Sequence, residues 1–226
     1  MRPLIIMNGE KIDWFHTVIR MLMYLAGVAV LALGMSLQTA SGLGVAALTC
    51  FATTLSMLTG KTLGFWITAT YVAYIVAQFT ILRREFQPRI LLELCFSTLI
   101  GGFTDFFMAV NPLHPAALPT QVETMLLSLA VTAFGVSLVV NMGVVPNAPD
   151  GLVQVIAEKI KRRFGDVKVV FDCSHVAMSL VLSLALMHNL GGFGVTTAIS
   201  ALFLGHVINI ANKLFAQRFI RAAFGK

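Results

Sequence analysis

Charge is what this chain has little of. Asp, Glu, Lys and Arg make up 12% of its 226 residues, about half of the roughly 25% found in an ordinary soluble domain. A soluble core of this size would still need a charged exterior, so most of the exterior is expected to be lipid. Cysteine is sparse as well. Cys50, Cys95 and Cys173 show neither a CxxC pair nor a metal-ligand spacing, and they read as small buried apolar residues; no metal and no cofactor is expected. A cleavable leader is also missing from the reading. The first eighteen residues carry polar and charged groups throughout, and the first apolar run ends in Gln38-Thr39, so it is expected to be a retained span. The net charge of +6 raises the question of a nucleic-acid partner. The basic residues stand in short blocks beside apolar stretches, an arrangement suited to anionic lipid headgroups, and no nucleic-acid partner is expected.

What the chain does have is apolar length. Hydrophobic residues make up 58%, and six stretches reach the roughly 17–25 residues a helix needs to cross a bilayer. They cover about 20–38, 64–82, 90–110, 122–141, 168–187 and 193–212. Two further segments, about 45–59 and 148–164, lean apolar without qualifying as spans. The first is short and bracketed by Gly42, Gly44 and Gly60. The second carries Asp150, Glu158, Lys159, Lys161, Arg162 and Arg163, and its Leu152, Val153, Ile156, Ile160 and Phe164 recur at helical spacing, which gives one greasy face and one basic face. Both read as interfacial or re-entrant half-helices.

Basic residues concentrate on the cytoplasmic side of membrane proteins, which tests this count. With six spans, Arg2, Lys11 and Arg20, then Arg83, Arg84 and Arg89, then Lys159, Lys161, Arg162, Arg163 and Lys168, and finally Lys213, Arg218, Arg221 and Lys226 all fall on one side. Lys61 alone falls elsewhere. The 111–121 connection, with Pro112, Pro115 and Pro119, and the His188–Gly192 turn lie on the opposite side and contain no Lys or Arg. Letting 45–59 cross would break this alternation. The expected location is a bacterial cytoplasmic (inner) membrane, with a multi-pass chain and both termini cytoplasmic.

The sequence also repeats once. Ala32-Leu33-Gly34-Met35-Ser36-Leu37 reads against Ala133-Phe134-Gly135-Val136-Ser137-Leu138, and Gly42 then meets Gly143. Gly60 stands where Gly165 stands, Ile100-Gly101 matches Leu204-Gly205, and Asp105 falls opposite Asn209. Each half reads as span, half-helix, span, span. Three crossings per half place the second half upside down relative to the first. The expected fold is therefore an all-α membrane protein of six transmembrane helices, arranged as two inverted three-helix repeats over 1–110 and 122–226, each with a short half-helix.

Inverted repeats with interrupted helices are a plan of secondary transporters, in which half-helix ends face the solute. The N-terminal N–H groups of a half-helix have no intrahelical partner and attract anions or carbonyl oxygens. In this chain those termini fall at Gly44–Thr49 and Asn147–Leu152. The second is better marked, since Pro149 suits an early helix position and Asn147 or Asp150 suits a cap. Its counterpart Val45-Ala46-Ala47-Leu48-Thr49 has no carboxylate and no proline, so any site is asymmetric. Substrate binding is assigned to Asn147, Asp150, Gly151, His206, Asn209 and Thr49, with Asp150, His206 and Asn209 as the central group. Intramembrane ionisable residues are costly and tend to be functional, which makes Asp105, Asp172 and His175 the proton-coupling candidates. Duller readings compete. Asp172 is spaced to pair with Lys168, and Glu93 with Arg89, across one helical turn.

On these residues the chain resembles the bacterial YitT/YczE/YyaS group of integral membrane proteins. The resemblance runs from Gly34, Ser36 and Gly42-Leu43-Gly44-Val45 through Pro149-Asp150-Gly151-Leu152 and Phe164-Gly165 to the glycine-rich stretch from Gly191 to Gly205. It implies an inner-membrane location and a transporter-like role, with no substrate named. Where that group usually carries a Pro-Trp-Asp-like stretch after its first glycine turn, Ala46-Ala47-Leu48 stands here, which takes the acidic residue out of the first half. The leading expectation is a secondary carrier of a small anionic or zwitterionic solute, and not an enzyme, in contact with the bilayer and able to form a homodimer through glycine-rich faces. One alternative is the substrate-binding subunit of a multi-component importer, suggested by Ala26, Ala29 and Ala32. Another is an intramembrane serine protease using Ser137 and His206, although Gly34-Met35-Ser36 duplicates Gly135-Val136-Ser137 where no base is evident.

Overall fold

The computed structural model describes residues 14–224 apart from 84–86, 114, 146 and 189–191. Of the positions named above, Arg2, Lys11, Arg84, Gly191 and Lys226 lie outside the described residues, as does the side chain of Arg89. Every regular element among the described residues is helical: α1 (Trp14–Ser41), α2 (Ala47–Thr59), α3 (Leu63–Leu82), α4 (Leu92–Val110), α5 (Leu118–Met142), α6 (Ala148–Ile160), α7 (Phe164–Leu186) and α8 (Val195–Phe224). A 3-10 turn at Pro88–Leu91 leads into α4. Six of these helices (α1, α3, α4, α5, α7 and α8) are long and apolar enough to cross a membrane. The protein is an integral membrane protein. The remaining two, α2 and α6, have 13 residues each. At about 1.5 Å per residue they fall well short of a hydrocarbon layer about 30 Å thick.

Local chemistry sets most boundaries. Gly60 adopts the left-handed conformation that ends α2, and its N–H bonds to the Ser56 carbonyl. The Thr62 hydroxyl accepts from the Phe65 N–H and opens α3. Pro119 lies in the first turn of α5, where a missing N–H costs nothing. Four spans depart from the expected limits. α1 begins at Trp14 rather than 20, α5 at Leu118 rather than 122, α7 at Phe164 rather than 168, and α8 runs to Phe224 rather than 212. Hydrophobic length counts only residues in lipid, whereas a helix continues into water until something stops it, and no glycine or proline lies between Lys213 and Phe224. α6 is shorter than expected. It ends at Ile160, so Ile160 and Phe164 are exposed rather than part of its apolar face.

Helix α5 is the most buried span, and α7 and α8 are the least. Its widest contact is with α1, where two glycines let the backbones touch. A Cβ on Gly34 would stand 2.8 Å from the Thr132 nitrogen, and one on Gly135 would stand 2.6 Å from the Leu31 nitrogen. Arg20 of α1 donates to the carbonyls of Met142 and Gly143 at 2.6 and 2.7 Å, placing a cation at the negative end of α5. α4 packs on α1 and α3, and α8 packs on α5 and, less extensively, on α1. α3 lies closely on α4 through Gly64 and Gly101, whereas α7 and α8 barely meet. The core between these layers includes Tyr24, Val28, Ile67, Tyr71, Phe96, Ile100 and Met142.

The two short helices are inserted among the long ones. α2 packs on α7 and α3, and α6 packs on α3 and α7. The start of α2 is held by backbone bonds to the segment before α8. Val45 N–H donates to the Gly192 carbonyl at 3.1 Å, Thr196 N–H to the Leu43 carbonyl at 2.9 Å, and the Thr197 hydroxyl to the Val45 carbonyl at 2.6 Å. Gly44, at φ +96°, sits where a Cβ would stand 2.6 Å from the Gly194 nitrogen, so neither the backbone angle nor the space admits a side chain. Gln38 completes the anchor by accepting from the Ala46 N–H at 3.0 Å.

Candidate functional site

The first turn of α6 gathers charged and polar groups from α3 and α7 around it. Ala148, Pro149 and Gly151 are buried there between α3 and α7, and Asp150 projects toward α7. Lys168 Nζ lies 3.4 Å from Asp150 Oδ1 and 2.9 Å from Asp172 Oδ1, so one ammonium is shared by two carboxylates. One turn further along α7, His175 is buried. Its Nδ1 lies 2.7 Å from the Phe171 carbonyl, and its Nε2 meets the Tyr74 hydroxyl of α3. A carbonyl only accepts, so Nδ1 carries a proton, and Nε2 of the neutral ring accepts from Tyr74. Tyr71, one turn earlier on α3, faces Asn147 and Asp150.

Asn147 does not cap α6 as its sequence context suggests. The second helical position is Pro149, which has no N–H to offer an N-cap side chain. Among the described residues the Oδ1 of Asn147 is instead a buried acceptor with no hydrogen-bond partner, a state native structures rarely leave uncompensated.

The expected site residues divide. Asn147, Asp150, Gly151, Asp172 and His175 come together at the start of α6. Asp172 also makes the one-turn pair with Lys168 that its spacing suggested. His206 and Asn209 do not join them: both are exposed on α8, which packs on α5, α1 and α2. Three-residue spacing put them on one face, but that face is turned outward. Thr49 is buried in α2, where its hydroxyl donates to the Ala46 carbonyl. Asp105 is occupied elsewhere, accepting from the Thr62 hydroxyl and the Gly64 N–H at 2.7 Å each, so it fixes the start of α3 against α4.

Three contributors were legible only in part. Lys168 reads from the sequence as one more basic flank residue, Tyr74 as an ordinary aromatic, and Glu93 as the partner of Arg89. Glu93 is 1% exposed, and Gln78 donates to it at 2.8 Å; its pairing with Arg89 falls outside the described residues. The signal in the sequence was a Gln toward the end of one span and a Glu at the start of the next. Where α2 crosses α7, the polar contact is uncharged: Ser179 lies 3.0 Å from Cys50 and 2.7 Å from Thr54.

Comparison with known proteins agrees with this membrane architecture. The family of unknown function DUF6198 matches residues 18–213. The chain belongs to that family. It is also similar to a protein of Bacillus subtilis (strain 168) described as uncharacterized membrane protein YczE, with 31% identity over 148 residues. That match covers 63% of this chain and 65% of the Bacillus protein, so slightly less than two thirds of the relative's length is spanned. These matches place the chain in the YczE-type membrane protein group that its glycine pattern resembles. No solved structure matches it.

Proposed function

We propose that this DUF6198 protein is a secondary carrier for a small zwitterionic solute, acting in a bacterial cytoplasmic membrane with both termini inside. One observation carries the reading: at the start of a helix too short to span, Lys168 lies between Asp150 and Asp172, and the same turn holds the Asn147 Oδ1, which has no hydrogen-bond partner among the described residues. Such a site offers positive and negative groups a few ångströms apart. A solute carboxylate suits Lys168 and the positive end of α6. A solute ammonium suits Asp150, Asp172 and the Asn147 oxygen. A purely anionic solute would meet two carboxylates, which favours the zwitterion.

The packing supports an inverted-repeat mechanism for moving that solute. Gly34 touches Thr132 and Gly135 touches Leu31, and these two contacts exchange under the same sequence offset. α2 packs on α7 while α6 packs on α3, so each short helix lies against the span that follows the other. Halves interlocked in this way can exchange conformations around a central site. Ser137 donates to Asn212 rather than meeting His206, which favours a packing role for that serine over nucleophilic chemistry.

The test is a thermal-shift screen of the purified protein against amino acids, betaines, organic acids and amines, with Lys168→Met alongside. A ligand selective for the folded state raises the transition temperature with concentration. Zwitterions are expected to stabilise the wild type and not the variant, and counterflow in proteoliposomes should follow the same order. Stabilisation by amines alone, or an equal response from Lys168→Met, would sink the proposal.

A further inference from the structure

The first turn of α6 also presses on a second polar group, on the face turned away from Lys168. Glu93 near the start of α4 and Gln78 of α3 are each 1% exposed. Gln78 Nε2 donates to Glu93 Oε2 at 2.8 Å and reaches the Ala148 carbonyl of α6 at 3.4 Å. A Cβ on Gly151 would stand 2.8 Å from Glu93 Oε1 and 3.2 Å from Gln78 Nε2. With no side chain at position 151, α6 lies directly over the carboxyl; a Cβ there would push the ends of the Glu93 and Gln78 side chains aside. From α1, Tyr24 faces Glu93 with its hydroxyl 3.5 Å from the Val145 carbonyl, and Arg20 is held by the carbonyls that end α5. From α6, Asp150 turns to Lys168. On α4 itself, Cys95 is exposed. The side chain of Arg89, one turn before Glu93, lies outside the described residues.

A carboxyl whose described hydrogen-bond partner is a neutral amide is at home here as the neutral acid, because an ionised one would need a cation or water to replace its hydration. Gln78 is suited to both states, since its N–H can donate to a carboxylate and its carbonyl can accept from a carboxylic O–H. A bound metal cation would want about six oxygen ligands, and one carboxyl, one amide and the Ala148 carbonyl fall short of that. We propose that Glu93 is a proton-binding site coupled to α6: it holds a proton while α6 is docked over it, and it loses that proton to water when α6 lifts. This rests on the carrier reading and supplies its coupling ion. The carboxyl O–H bond is the only one made or broken, and the proton comes from and returns to solvent.

Hydrogen exchange of the full-length protein in lipid nanodiscs tests it, with α2 as an internal standard of equal length. Between about pH 6 and about pH 9, the protection of α6 relative to α2 should fall in the wild type, as ionisation of the carboxyl releases the helix. Glu93→Gln, which is permanently neutral, should lose this pH dependence, and Asp150→Asn should keep it. Constant relative protection in the wild type would overturn the proposal, whether or not any variant folds. A pH response that survives in Glu93→Gln, or that vanishes in Asp150→Asn alone, would overturn it too. The outcomes stay separate from the solute screen. A pH-gated α6 without any solute response would remove the carrier and leave Glu93, and a solute response with a pH-insensitive α6 would do the reverse.

Discussion

Lys168 illustrates how little stability a partly exposed ion pair supplies. Its partner Asp150 is 40% exposed at the side chain, and Asp172 is a one-turn neighbour on the same helix. Pairs of that kind contribute about 0–1 kcal/mol. Lys168→Met is therefore expected to fold with a transition temperature close to the wild type while losing its response to zwitterions, a separation that calorimetry with and without ligand would reveal. Gly151 presents the opposite case. Gly151→Ala brings a Cβ against the ends of the Glu93 and Gln78 side chains, which have to shift inside a buried site, a loss at the low end of the about 1–3 kcal/mol that overpacking costs. Its chemical denaturation midpoint should drop even with no solute present, and an unchanged midpoint would show that α6 is not seated as described. Both positions lie in or near the motif Pro149-Asp150-Gly151-Leu152 or its partner span. The sequence marked Asp150 because an acid beside a proline and a glycine is unusual in an apolar chain. It could not pair Gly151 with Glu93, since that contact joins α6 to α4 and has no local signature.

Helix by helix, the glycines separate into those that pack and those that do not. Gly34 and Gly135 sit where α1 and α5 touch, and a Cβ at Gly135 meets backbone atoms of Leu31 that have no rotamer to change. Gly102 and Gly205 have open space where a Cβ would go. Gly135→Ala should therefore destabilise by about 1–3 kcal/mol, while Gly205→Ala should be neutral or stabilising by up to about 1 kcal/mol through helix propensity. Thermal unfolding of the pair in one detergent would test the contrast, and equal losses would refute this picture of the α1–α5 crossing. The matched glycines Gly34 and Gly135 were visible as a repeated pattern because close helix approach demands small residues. The starts of α1, α5 and α7 and the end of α8 were not visible, since hydropathy reports where lipid ends rather than where a helix ends. For the same reason, His206 and Asn209 were assigned correctly to one face of α8, while the direction of that face depends on tertiary packing that no periodicity encodes.

For the molecule as a whole, six spans and two short insertions make a definite prediction about sidedness. In a background with the exposed Cys95 and Cys173 replaced by serine, Lys61→Cys and Lys159→Cys should react with an impermeant maleimide from opposite faces of sealed vesicles. Reaction from the same face would rule out the six-span topology. The charge pattern made this arrangement readable from the chain, because insertion acts on blocks of Lys and Arg within about 15–20 residues of a span. The way the start of α2 is tied down has a different consequence, one of timing. Thr197 and the Val45 carbonyl it bonds are 152 positions apart, and the residues from Gly192 to Thr197, which lead into α8 and form its first turn, are synthesised only after α7. A growing chain whose spans up to α7 are already inserted still lacks the strap that holds α2. Assembly of the N-terminal half must then wait for the C-terminal helix, and a ribosome stalled just before Gly192 would display an α2 that a protease can still reach.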